Sequence, residues 1–428
     1  MKRKTSLGTI FTVALTLVVT VGCVHLISRF GGDFRGVLQA DQLLSVFKTA
    51  RNTAAPMPTA APSAASAIKT TTVTIAPTQE RQQPTAMPSQ TAHTVTMTFS
   101  GAIDFEKNIS DSVRSGDTFD YGSVFQYIQR YVYADVNLAP LNNLLTAQGN
   151  AYTDTVVPAA AADGLKALGL SGVLLNHADV LDQGTQGLEE TVGALRQRGL
   201  DSYGAEQTEN IPLLQINGVT IAVLGYLDTP GSRTEKAMAD ASSPVARLDT
   251  EQVKKDIAAV RSRGAQVVVV SLTWLSQSDE QLTDTQREQA RQIAAAGADI
   301  ILGGGSSAAL PVEMIQTLTS DGQSRQTLCA YAMGTLISAR RDKRSEVSGL
   351  LLHVRLTVDG QSRVSFDTVT YTPTYVWRQS VDGKTQYRVL CSAEAPPEAM
   401  SSQQKEIMGR ALVLIQNLMA DSPAAQRE

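Results

Sequence analysis

The stretches "AQVVVVSLTWL" (265–275) and "ADIILGGG" (298–305) constrain the fold of this chain more than anything else in it. Neither alternates polar with apolar residues, which suits strands covered on both faces in sheets with helices packed over them. A helical pattern precedes each, "TEQVKKDIAAVRSRG" (250–264) and "TDTQREQARQIAAAG" (283–297). The first half has the same rhythm. "TVTMTFSGAIDF" (94–105) is a strand that stops at Ser100-Gly101; "VVPAAAADGLKALGL" is a helix, "SGVLLN" a strand, and "TQGLEETVGALRQRGL" an amphipathic helix. "LLQINGVTIAVLGYL" gives two strands around an Asn-Gly turn. These elements predict a layered α/β domain over residues 94–372 and a C-terminal extension, 373–428, with a helix around Pro397 to Met419.

The segments before that domain have another character. "GTIFTVALTLVVTVGCVHLI", Gly8 to Ile27, carries no formal charge, follows "MKRK", and is long enough to cross a bilayer as a helix. The flanking positive charge keeps that end in the cytoplasm and places the rest of the chain outside a bacterial cell membrane. A cleaved signal peptide, giving a secreted protein, is the rival reading, and "TVGC" leaves lipid anchoring at Cys23 as a third. Residues 1–30 are thus the anchor or signal segment and 31–50 a short juxtamembrane stretch. Residues 51–93 are a disordered linker, because Ala, Pro, Thr and Ser fill 28 of the 42 positions from 51 to 92. As a coil this linker spans about 35 Å.

A formal net charge of -4 argues against nucleic acid as the partner. Three cysteines, Cys23, Cys329 and Cys391, make neither a disulfide framework nor a thiolate metal cluster, and leave one Cys329–Cys391 bridge open. "GGGSS", Gly303 to Ser307, offers backbone N–H groups for an anion nest but lacks the lysine of a nucleotide loop. "ARRDKRSE" (339–346) is either an anion-binding cluster or a solvated hairpin tip.

In segment order the chain resembles the CapA family, the poly-γ-glutamate capsule biosynthesis proteins, whose domain is similar to a calcineurin-type metallophosphatase. The resemblance covers about residues 94–355 and implies an αββα metallophosphatase-like sandwich. It also shows departures. "SGAIDF" has Ala102 in place of the family's aspartate, with Asp104 nearby but expected to face another way. "ADVNLAPLNNLL" keeps Asp135 and sets Pro140 and Asn142 at the Asn and Glu positions. "LLNHADVLDQG" brings Asn176, His177, Asp179 and Asp182, with His177 two residues early. "LTWL" has Thr273 for histidine, beside Trp274, and Leu275 for glycine. The family's Gly-His-His-Pro-His becomes Gly303, Gly304, Gly305, Ser306 and Ser307, and Thr335 replaces an asparagine in "YAMGTL".

A two-metal phosphoester site needs a bridging carboxylate and imidazole or amide ligands. The chain has four histidines: His25 in the apolar run, His93 at the linker's end, His353 inside "LLLHVRL", and His177. Only His177 is placed to join such a site. The candidate pocket is therefore Asp104, Asp135, Asn142, Asn176, His177, Asp179, Asp182, Thr273, Trp274 and Gly304 to Ser307. Asp104 and Asp135 are also readable as solvated loop carboxylates, Asp182 as a helix cap or turn residue, and Trp274 as core or pocket wall.

Three functions follow. The first is a membrane-anchored, extracytoplasmic CapA-like protein that has lost its metal chemistry, holds no cofactor, and binds an anionic envelope polymer or envelope protein. The second is a hydrolase whose Asp104, Asp135, Asp179, Asp182 and His177 surround one Mg²⁺ or Ca²⁺. The third is an envelope scaffold with its surface on the linker or terminal helix.

Overall fold

The computed structural model describes residues 91–148, 151–206, 210–240, 242–274, 280–318 and 322–426. The apolar run at 8–27, the juxtamembrane stretch, nearly all of the linker, and Leu275 lie outside them.

Within these residues two mixed sheets stack face to face. The first takes β1 (His93–Ser100), β2 (Val136–Pro140), β3 (Gly172–Leu174) and β4 (Asp201–Tyr203) as a parallel set. The second contains β5 (Leu213–Ile216), β6 (Val219–Leu227), β7 (Val267–Thr273), β8 (Ile300–Gly304), β9 (Ala309–Leu318) and β10 (Ser324–Met333), in the order β5-β6-β7-β8-β10-β9. Its centre is parallel, pairing Val270 with Leu224 and Ile301. Three antiparallel strands, β11 (Ser348–Val358), β12 (Val364–Val381) and β13 (Lys384–Cys391), complete the first sheet beside β1.

The apolar runs do what their lack of alternation predicts. Val267 and Val269 join Met97, Phe99, Leu138 and Leu302 between the sheets, while Val268, Val270 and Ile301 face outward under helices. Each buried valine contributes about 1.5–3 kcal/mol. Helices α1 (Ala161–Leu168) and α2 (Gly184–Gln197) cover the first sheet; α3 (Thr250–Ser262) and α4 (Asp284–Ala296) cover the second. The layers are therefore helix, sheet, sheet, helix. Asp249 caps α3 by accepting from Glu251 N at 2.9 Å, and Thr283 and Gln286 form a capping box on α4. Asn217 and Gly218, with φ of 51° and 83°, make the tight turn between β5 and β6.

Two sequence expectations need correction. The boundary at 372 falls inside β12, so the first sheet runs straight through it. Helix α5 (Ser402–Leu418) then packs on that sheet and sends Ile415 into the core between the sheets. Residues 373–426 are thus part of the sandwich rather than an appendage. Cys329 and Cys391 are both free and buried, one under α4 and the other beneath the first sheet's helices, so no bridge joins them.

Two other histidines, His353 and His93, bond within the sandwich. His353 bridges Thr98 and Thr372 across three strands at 3.2 and 3.0 Å, and His93 binds the Asn217 carbonyl at 2.9 Å. No helix among the described residues is long and apolar enough to cross a membrane.

Candidate functional site

The parallel strands of both sheets end on the same side, and their carboxyl ends enclose a cleft of about 290 Å³. Such ends are where α/β sheets ordinarily hold ligands, because the loops diverge there. Ser100 at the end of β1, Ala102 after it, Pro140 and Asn142 at the end of β2, and Asn176 after β3 form one side. Thr273 of β7 and Gly303 to Ser307 form the other.

Glycines let the backbones around the cleft pack closely. A Cβ on Gly303 would stand 2.0 Å from the Tyr331 carbonyl oxygen and 2.6 Å from the Trp274 ring. A Cβ on Gly101 would stand 2.6 Å from the Gly334 oxygen. The short parallel pair Ala102–Ile103 and Thr335–Ile337 closes this end of the sandwich. "GGGSS" is thus first a packing solution. Its serines are also engaged: Ser306 Oγ donates to Ala308 O at 2.9 Å, and Thr335 Oγ1 donates to Ser307 O at 3.1 Å.

Asn176 ties the sheets together from inside the cleft. Its Nδ2 donates to Tyr226 O at 3.0 Å and Ser271 O at 3.2 Å, and its Oδ1 accepts from Ser271 Oγ at 2.9 Å. Thr273 Oγ1 donates to the Asn176 carbonyl. The amide is committed to the protein on both sides.

What remains for chemistry is acidic. Asp104, Asp154, Asp179 and Glu346 line the cleft with one cation, Arg340. Burial, and then the neighbouring Glu106 charge, push the Asp104 carboxyl up to about 7. Arg340 stands 3.5 Å from Asp104 and 3.5 Å from Glu106. Glu106 itself is buried and accepts from Ser338 Oγ and Ala339 N at 2.6 and 2.7 Å. His177 also lines the cleft; burial drives its imidazole down to about 3, so the ring is neutral.

Several expectations are redrawn. Asp104 shares the cleft with Ala102 rather than facing away, as two-residue spacing along an extended segment requires. Asp135 precedes β2, so it lies at the opposite end, where Thr96 N and Oγ1 bind its carboxylate at 2.8 and 2.7 Å. Asp182 is outside the cleft and is a turn residue rather than a cap, its N donating to Asp179 O at 3.0 Å just before α2, whose N-cap Gln183 makes no side-chain bond. Trp274 is core, 2% exposed and 5.6 Å from the Tyr331 ring. The basic run 339–346 is no common anion cradle: Arg340 faces the cleft acids, while Arg341 is drawn inward to Ser338 O and the Tyr387 ring. Asp154, Arg340 and Glu346 were outside the candidate pocket, although Arg340 and Glu346 lie in the basic run 339–346. Asp154 stands in a loop without a motif, where its carboxylate accepts from Lys107 N, the first residue of the helix Lys107–Val113, at 2.9 Å.

The donor set does not fit a two-metal phosphoesterase centre. The strand ends offer Ala102, a committed amide, a threonine hydroxyl and glycines, with one neutral imidazole. Among the described residues no three His, Cys, Asp or Glu side chains come together as metal ligands. The five-residue set proposed around one hard cation also fails to converge, since Asp135 and Asp182 lie elsewhere.

Fold and cleft together define an αββα sandwich with an acid-lined cleft at its strand ends. The chain belongs to the family described as bacterial capsule synthesis protein PGA_cap, whose model matches residues 96–340. It is 29% identical over 222 residues to the PGA biosynthesis protein CapA of Bacillus subtilis, covering 50% of this chain and 55% of that one. It is 26% identical over 278 residues to the capsule biosynthesis protein CapA of Bacillus anthracis, covering 61% and 64%. The chain thus spans less than two thirds of either relative. Among solved structures, Haemophilus influenzae NAD nucleotidase aligns at 11% identity with TM-score 0.38, covering 79% of this chain and 64% of that one. The calcineurin-like phosphoesterase YfkN of Bacillus subtilis aligns at 14% and 0.38, covering 77% and 99%.

Proposed function

We propose that this protein acts in capsule biosynthesis as a non-catalytic, extracytoplasmic member of its family that binds an anionic envelope polymer in the strand-end cleft. The carrying observation is the state of Asn176, Thr273 and Gly303 to Ser307. At the positions where a hydrolase would present ligands, Asn176 and Thr273 are spent on tying the two sheets together, and Gly303 is packed against Tyr331 O and the Trp274 ring within its own sheet. The relatives' names supply the capsule context, and the uncharged run at 8–27 behind "MKRK" supports anchoring at the cell membrane.

The test is deletion of the gene in its own host, with surface polymer quantified and the purified chain assayed on phosphoesters. Loss of polymer, restored by the wild-type chain, with hydrolysis at the blank rate supports the reading. Turnover that survives chromatography and vanishes in Asp104→Asn overturns it.

The scaffold reading is favoured by one observation. Helix α5 buries Met408, Ala411 and Ile415 yet exposes Ile407, Val413 and Leu414. Deleting 397–428 would remove core contacts, so Leu414→Lys is the variant that tests whether this stripe holds a partner.

A further inference from the structure

We propose that the cleft recognises a zwitterionic end group, an ammonium next to a carboxylate, with the aspartates taking the ammonium and Arg340 the carboxylate. This deepens, and rests on, the reading of the cleft as a polymer-binding site.

Charge decides the class of ligand. Asp104, Asp154, Asp179 and Glu346 outnumber Arg340 four to one in the lining, so the interior of a polyanion is repelled there. An ammonium relieves that crowding, which is strongest at Asp104, where Glu106, Asp154 and Asp179 all act with the same sign. The cation is available as well. Arg340 has a side chain 61% exposed, and both its carboxylate partners stand at 3.5 Å, beyond ordinary hydrogen-bond length. A guanidinium held this loosely can turn its planar donor face to an incoming carboxylate.

Geometry then narrows the class. Arg340 and Asp104 adjoin, so the ligand's opposite charges must adjoin too, as on an α-amino-acid residue with a free amine. A third feature marks the space as a binding site. His177, 6% exposed, lines the cleft, yet its Nε2 has no hydrogen-bond partner among the described residues. Buried polar atoms seldom stay unpaired, and a donor on the bound group would supply the missing bond.

The experiment is titration calorimetry of the purified full chain with a short γ-linked oligoglutamate, whose amino-terminal residue keeps both its α-amine and its α-carboxylate, and with its N-acetylated counterpart. Wild type is expected to bind the free end at least about tenfold more tightly, the scale of one charge-assisted pair. Arg340→Gln, verified as folded by a cooperative melt, is expected to weaken the free-end ligand by about tenfold. Equal binding of the two ligands, unaffected by Arg340→Gln, overturns the end-group proposal and leaves polymer binding standing. Binding of neither overturns both.

Discussion

Asn176 and Ser271 lock the two sheets to each other: the asparagine amide donates to the serine carbonyl at 3.2 Å and accepts its hydroxyl at 2.9 Å. The pair sits at the carboxyl ends of β3 and β7, inside the cleft. Asn176→Leu would leave two carbonyls and a hydroxyl buried without this partner. The expected loss is about 2–4 kcal/mol, read as a lower denaturant midpoint with an unchanged slope.

Asp104 gives stability a dependence on pH. Its folded value, about 7, lies above the ordinary 3.8, so the folded protein holds the proton more tightly than the unfolded chain does. Its contribution is therefore complete below about pH 4 and is lost as pH rises through 7. Asp104→Asn should remove this slope and stabilise the chain above pH 7 by about 3 kcal/mol. Thermal melts of both proteins across pH 4 to 8 check the sign.

His177 acts in the opposite direction. Its folded value, about 3, lies below the ordinary 6.5, so the stability it confers is present above pH 6.5 and lost as pH falls towards 3. His177→Leu should flatten the acid limb of the same melts.

Asp299 is the structural counterpart of the cleft acids. Its carboxylate is 2% exposed and binds Arg261 and Arg325 at 2.6 Å each, and Val268 N at 2.7 Å. Asp299→Ala strands two guanidinium groups and should cost about 3 kcal/mol without touching ligand binding. Gly303→Ala should cost at least as much, because its Cβ would overlap Tyr331 O.

Most of the layered architecture was legible in the chain because its central strands are buried on both faces and helices α3, α4 and α5 carry ordinary caps. Val267 to Val270 and Ile300 to Leu302 could hardly be anything else. The cleft was legible only where a strand end marks it, as at Asn176, Thr273 and Gly303 to Ser307. Asp135 was misplaced although the signal was there, since a residue before a strand lies at the end away from the cleft. Arg340 was hidden for another reason: its partners Asp104 and Glu106 are more than two hundred positions away, and no local pattern records a contact made by sheet topology. The continuation of β12 past 372 escaped notice because the family resemblance ends before the sheet does.

The central claim is that the strand-end residues hold the sandwich together instead of holding metal. Elemental mass spectrometry of the purified full chain, dialysed against trace manganese, iron and zinc and then against buffer, tests it most directly. The account predicts metal far below one equivalent per chain. Near-stoichiometric metal, lost in Asp104→Asn, would contradict it.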